Sequence, residues 1–325
     1  MLPRMLTFGM TGDGGFDPLV LLLMALLVEA YIGEARRVFK IVRHPVKIIG
    51  DVIAFFERKL NRESRSPADR AVRGALVVVF VAGLAFAVGW AVAWLSLNHP
   101  WGWIIEFLGL IALLAGRGLY DHVRAVATAL KRGVEPGRDA VRHIVGRDPA
   151  SLDGPGVARA ALESLAENFS DGVVAPVFWY VLFGFPGLLV YKAVNTMDSM
   201  IGHMTSQYRA FGMTAARLDD VLNLIPARLA GLFLVFAALF VPTANPPGAL
   251  RVMLRDARFH RSVNAGWPEG AMAGALGLAL AGPRHYSGST VNDPWIGDGS
   301  AKVTPKDINR GLYLYVVACL INAMW

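Results

Sequence analysis

Cysteine is almost absent from this sequence, with Cys319 alone among 325 residues. That excludes an internal disulfide, a cysteine zinc cluster and a thiolate-held iron–sulfur centre. Charge is scarce too, at 18% Asp, Glu, Lys and Arg, against about a quarter in soluble domains. The seven histidines form no His-x-x-x-His pair, which argues against a catalytic zinc. There is no phosphate-binding Gly-x-x-x-x-Gly-Lys-Ser/Thr, and the nearest stretch, Gly297-Asp298-Gly299-Ser300-Ala301-Lys302, fails the spacing. No Gly-x-Ser-x-Gly elbow occurs either. Basic residues are not interleaved with aromatics for stacking on bases, so no nucleic-acid partner is expected.

Apolar mass is what the chain has instead. Hydrophobic residues make up 54%, and the mean hydropathy is +0.44. This composition predicts an all-α, polytopic membrane protein, read as a single unit over residues 1–325. A helix needs about 20 apolar residues to cross the hydrocarbon core. Ala75 to Leu97 meets that requirement without a charge. Leu19 to Ile32 is shorter and carries Glu29; no small-residue cleavage site follows, so it reads as an uncleaved anchor. Trp101 to Gly116 is short and holds Glu106, while Trp94, Trp101 and Trp103 suit an aromatic belt around the Asn98-His99-Pro100 turn. Val173 to Val190 is interrupted by Pro176, Gly184 and Pro186. Gly231 to Val241 is long enough only if it begins near Val221, across Asn223, Pro226 and Arg228. Gly270 to Gly282 is short and rich in small residues, and Leu312 to Trp325 is the last apolar run.

Basic residues orient these runs. Eleven lie between Gly33 and Gly74 and eight between Arg117 and Gly172, whereas residues 98–100 have none. Both polar stretches are therefore expected in the cytoplasm, 117–172 as a helical segment, with 98–100 outside. Simple alternation would then place either 192–220 or the Arg251, Arg255, Arg258, Arg261 cluster outside, against the rule. Broken or re-entrant helices remove the conflict, so 117–172, 195–228 and 251–269 are all expected at the cytoplasmic face.

Polar residues cluster in those segments. Asp153-Gly154-Pro155 reads as a helix start and Asp171-Gly172 as its stop. Between them, Glu163, Glu167 and Asp171 recur at i, i+4 and share a helix face. An oxygen-rich face suits Mg²⁺; an acidic stripe paired with Arg159 or another helix suits the same spacing. Asn195 and Asp198 share a helical face at a membrane boundary, where charge is costly and usually paired or functional. Arg217-Leu-Asp219-Asp220-Val-Leu-Asn223-Leu-Ile-Pro226-Ala-Arg228 packs two cations, two carboxylates and an amide. Asp220 and Asn223 are i, i+3 neighbours there, with Asp219 about 100° away. An interfacial ion-pair network is the alternative. Asn264-Ala-Gly266-Trp267-Pro268-Glu269 is a polar turn before a Gly/Ala helix, and His44-Pro45-Val46 precedes an amphipathic stretch, Ile48 to Leu60.

Taken in order, these motifs resemble the integral-membrane adenosylcobinamide-phosphate synthase family of cobalamin biosynthesis. The resemblance covers about residues 30 to 310. It rests on His44-Pro45-Val46 with Ile49-Gly50, Gly146-Arg147-Asp148, Glu163-Ser164, Glu167-Asn168, Asp171-Gly172 and Ala175-Pro176. It continues through Asn195-Thr196, Asp198-Ser199, Ala216-Arg217-Leu218-Asp219-Asp220, Ile225-Pro226-Ala227-Arg228, Asn264 to Glu269 and Pro294-Trp295-Ile296-Gly297. One departure is Gly33-Glu34-Ala35, where the family has Gly-Asp-Pro.

The resemblance implies an ATP- and Mg²⁺-dependent ligase of the inner membrane, its active site facing the cytoplasm. It would join a propionate carboxyl of adenosylcobyric acid, a corrinoid, to aminopropanol or aminopropanol phosphate. Catalytic roles are expected for Glu163, Glu167, Asn168, Asp198, Arg217 and Asp220. Binding roles fall to His44, Asn195, Ser199, Arg228, Asn264, Trp267 and Glu269, and metal ligation to Glu163, Glu167, Asp171 and Asp198. Expected partners are these substrates and membrane lipid, with room for a homo-oligomer or other membrane enzymes of the pathway. A non-catalytic signalling relative would have lost the acids. A transporter would show matching interrupted halves, and none is visible.

Overall fold

The computed structural model describes residues 16–33, 43–145, 149–286, 289–291 and 293–325. Gly146-Arg147-Asp148 and Glu34 lie outside them. Among the described residues the chain is mostly helical, with two small β-ladders, and its contacts divide it into two compact units. The first comprises residues 1–115 and 175–222, the second 116–174 and 223–325. The chain leaves the first unit and returns to it.

The first unit holds α1 (Pro18–Ile32), α2 (Pro45–Leu60), α3 (Pro67–Asn98), α4 (Gly102–Leu113), α8 (Ala175–Ile201) and α9 (Met213–Leu222). Caps set the starts: Asp17 Oδ1 accepts from Leu19 N–H at 2.7 Å, and Ser66 Oγ from Asp69 N–H at 3.2 Å. Each precedes a proline at the first helical position, whose missing N–H is not needed there. The core gathers Leu21, Val81, Leu110, Leu188, Met197 and Phe211. Gly89 of α3 lets the backbone of Pro186 on α8 come close, since a Cβ there would stand 2.6 Å from Pro186 Cα. On its other side α3 exposes Leu76, Val79, Phe86 and Trp90, as a lipid-facing helix does. Within α8, Gly184 adopts φ 62°, ψ −157° ahead of Pro186; the helix is broken there, as expected.

The second unit holds α5 (Gly116–Leu130), α6 (Val134–Val141), α7 (Gly154–Phe169), α10 (Leu224–Ala238), α11 (Pro246–Asp256), α12 (Gly266–Leu276) and α13 (Pro305–Met324). Helix α7 is its axis, with Val157, Ala161, Leu162, Leu165 and Phe169 fully buried. Around it pack Val123, Leu234, Met272, Ile308 and Leu314. Asp153 caps α7, its Oδ1 accepting from Gly156 N–H at 2.7 Å, as the Asp-Gly-Pro signal predicts.

Asp171-Gly172 is not a stop. The chain widens into a π-helical turn, Ser170–Val174, and runs on. Pro176 explains the widening: a proline ring clashes with the carbonyl four residues back, here that of Gly172, and a π turn accommodates it. The helix expected over Gly270 to Gly282 also ends early, at Leu276, because Gly277 turns left-handed at φ 68°, ψ 41°. After it come ladders absent from the all-α expectation: β1 (Leu280–Ala281) antiparallel to β4 (Trp295–Ile296), and β2 (Arg284–Tyr286) antiparallel to β3 (Ser289–Val291).

Among the described residues, three helical segments are long and apolar enough to cross a membrane: Pro67–Asn98, Gly102–Leu130 and Gly154–Ile201. The bent pair Met213–Leu222 and Leu224–Ala238 makes a fourth if counted as one span. Pro18–Ile32 has 15 residues, about five short of a full crossing. The protein is an all-α polytopic membrane protein with broken helices.

Candidate functional site

The residues singled out in the sequence divide between the units. In the first, α8 and α9 bring together the densest polar set. Asn195 Nδ2 donates to Asp219 Oδ1 at 3.2 Å. One turn further along α8, half-buried Asp198 lies within electrostatic reach of Asp220 and His203, and Arg217 stands beside Asp220. Ser199 is exposed, its Oγ donating to the Asn195 carbonyl at 2.9 Å. His44 caps α2, its Nδ1 accepting from Val46 N–H at 3.2 Å. Sequence reasoning passed over two members of the set. Asp219 points away from Asp220, and that is what aims it at Asn195; His203 follows Gly202 just past the helix end.

In the second unit, α7 and the π turn carry Glu163, Glu167, Asn168 and Asp171 in different environments. Glu163 is buried and accepts from Ala281 N–H at 2.8 Å. Glu167 and Asn168 are exposed, Asn168 Nδ2 donating to the Ser164 carbonyl at 2.9 Å, and Asp171 is half-buried. The π turn ends strict α-helical spacing at Ser170, so the expected single acidic face stops at Glu167.

A second group in this unit surrounds Arg228 on α10. Its guanidinium lies 4.6 Å from the Trp267 ring centroid, and Nη1 donates to Asn264 Oδ1 at 3.1 Å and to the Leu224 carbonyl at 2.7 Å. Stacking and hydrogen bonds fix a planar cation in one pose, an arrangement suited to an anion. In the same unit, buried Glu269 meets His260 Nε2 at 3.5 Å. His260 is a further residue that the sequence reading missed. Nearby, Arg255 grips Asp256 through Nε at 2.5 Å and Nη2 at 2.6 Å, and its Nη1 reaches Asp298 at 2.5 Å. Asp256 Oδ2 also accepts from Gly297 N–H at 2.8 Å. The Arg255 hydrogen bonds hold the Asp256 carboxyl below the usual carboxylate range against the upward push of burial, and the Gly297 N–H adds to them. Pro294 to Gly297 is thereby tied to α11.

Among the described residues, no three His, Cys, Asp or Glu side chains gather into a ready-made cation site. Mg²⁺ rarely needs one, since it usually takes one or two carboxylates, keeps several waters and shares substrate phosphates. Asp198 and Asp220, within electrostatic reach of each other, are two carboxylates of that kind.

Fold and site define a polytopic helical membrane protein with a carboxylate pair and guanidinium groups in its polar segments. The family model described as CobD/Cbib protein matches residues 22–315, and the chain belongs to that family. It is 47% identical over 309 residues to a Sinorhizobium protein named cobalamin biosynthesis protein CobD, covering 94% of this chain and 96% of that one. Proteins of the same name from Rhodobacter capsulatus and Brucella suis are 49% and 47% identical, covering 94% and 91% of this chain and 98% and 92% of theirs. No solved structure matches.

Proposed function

We propose that this protein acts in cobalamin biosynthesis as an amide-forming ligase of the inner membrane, joining adenosylcobyric acid to aminopropanol or its phosphate at the expense of ATP. The observation that carries the reading is the 47% identity to a CobD protein over nearly the whole of both chains. Asp198 and Asp220, within electrostatic reach of each other, with Arg217 acting on Asp220, support it. Membrane helices would otherwise avoid such charge.

Amide formation from a carboxylate requires its oxygen to become a leaving group. Phosphoryl transfer from ATP supplies that: the carboxylate oxygen takes the terminal phosphoryl group and ADP leaves, the amine nitrogen attacks the carbonyl carbon, phosphate departs and the nitrogen loses a proton. In the first unit, Asp198 and Asp220 would hold Mg²⁺, which neutralises nucleotide phosphate charge. Arg217 would grip phosphate, and Asn195 and Ser199 would orient substrate, with Asp219 fixing the Asn195 amide. In the second unit, Glu167 and Asp171 offer oxygen donors of their own and Asn168 an amide. Arg228 would bind phosphate or the activated carboxyl, flanked by Asn264 and Trp267. Glu269 and Glu163 act there by positioning, through His260 and Ala281. Fixed charges aimed at charge that develops during reaction are commonly the largest catalytic contribution.

Purified full-length protein in nanodiscs, given adenosylcobyric acid, aminopropanol or its phosphate, ATP and Mg²⁺, should yield the amide with stoichiometric nucleotide cleavage. Corrinoid binding without product in either amine series would contradict the ligase reading.

A further inference from the structure

We propose that the pocket between α2 and α3 is a binding site for a zwitterionic aminophospholipid of the leaflet beside α2. The pocket measures about 450 Å³, and its lining includes Arg43, Ile48, Asp51, Phe55, Phe80 and Leu84. Two halves of different chemistry face it. Ile48, Phe55, Phe80 and Leu84 are 43–52% exposed, an apolar wall that water would cover at a cost. At its rim Arg43 Nη1 and Asp51 Oδ2 stand 3.5 Å apart, with 77% and 57% of their side chains exposed.

Depth along α3 locates this pocket in a bilayer. The exposed Trp94 and Trp101 flank the end of α3 at Asn98 and mark one membrane interface. Counting back about 20 residues at about 1.5 Å each spans the roughly 30 Å hydrocarbon core and reaches Val78. Phe80 lies within one turn of that level and Leu84 within two. The apolar wall thus sits where acyl chains begin, beside an amphipathic α2 that suits an interfacial position.

Charge selects the headgroup. An anionic headgroup would meet Arg43 and be repelled by Asp51. A phosphate joined through two carbons to a primary ammonium satisfies both, the guanidinium taking the phosphate and the carboxylate taking the ammonium. The Arg43–Asp51 pair is exposed and therefore weak, so opening it costs little. Aminopropanol phosphate carries the same two charges. It has no hydrocarbon tail, however, and would leave Phe55, Phe80 and Leu84 uncovered.

Native mass spectrometry of the delipidated full-length protein, titrated with phosphatidylethanolamine and phosphatidylglycerol of identical acyl chains, reads the preference. The wild type should retain the ethanolamine lipid over the glycerol lipid by about threefold, the range exposed charge pairs supply. Asp51→Asn should bring the two to parity, and Arg43→Gln should weaken both; each change lies at an exposed position and leaves the core intact. Parity in the wild type, or a preference that survives Asp51→Asn, overturns the proposal. So does displacement of the lipid by millimolar aminopropanol phosphate, which would make the pocket a substrate site.

Discussion

The Glu163 carboxylate, buried in the middle of α7, accepts the backbone N–H of Ala281 at 2.8 Å, and Ala281 stands at φ 56°. A left-handed conformation costs a non-glycine residue about 1–2 kcal/mol, so the hydrogen bond holds β1 in a shape it would not choose alone. Glu163→Ala leaves a buried N–H without its acceptor and should destabilise the protein by about 1–3 kcal/mol. Glu163→Gln keeps an acceptor oxygen and should melt near the wild type. Melting curves in detergent check the pair; a wild-type curve for Glu163→Ala would show that the bond holds nothing.

Gly184 breaks α8 at φ 62°, ψ −157°, a region essentially closed to residues with a Cβ. Gly184→Ala should cost on the order of 1–3 kcal/mol, read as a lowered melting temperature. Were the variant as stable as the wild type, the break would be no part of the native helix.

Asp256 carries the clearest pH dependence outside the spans. The Arg255 hydrogen bonds lower its folded pKa against opposing burial. Its contribution is therefore complete above the unfolded value, about 3.9, and is lost as pH falls through the lower folded value. Asp256→Asn should be less stable than the wild type at neutral pH, and the gap should close on acidification below about pH 4. Chemical denaturation at pH 7 and pH 3 measures this; a gap that widens in acid has the wrong sign.

Local signals in the sequence were easiest to read. Asp153-Gly154-Pro155 starts α7 and Gly184 with Pro186 breaks α8, because each acts through its own backbone. Asp171-Gly172 misled for a related reason: the pair favours a stop, but Pro176, four residues beyond Gly172, is met by a π turn that keeps the helix going. Long-range pairings were out of reach. Nothing near Glu163 points to Ala281, 118 positions away, and i, i+4 spacing treats Glu163 and Glu167 alike although one is buried and the other exposed. Asn195 and Asp198 were placed on one face correctly, but helix geometry around Asp220 drew attention away from Asp219, the residue that Asn195 meets. The return of the chain to the first unit after residue 174 is set by long-range packing, which no local signal in the sequence reports.

The proposed ligase site is tested by single-turnover amide formation with wild type, Asp198→Asn and Asp220→Asn in nanodiscs at saturating Mg²⁺, alongside melting curves. Each amide keeps side-chain volume and removes a charge, so both variants should fold. Losing one fixed electrostatic contact commonly costs 10²–10³ in rate, about 2.7–4 kcal/mol. A loss of that size in both variants, with unchanged melting, is the expected result; near-normal turnover in both would contradict the assignment of the α8–α9 acids to catalysis.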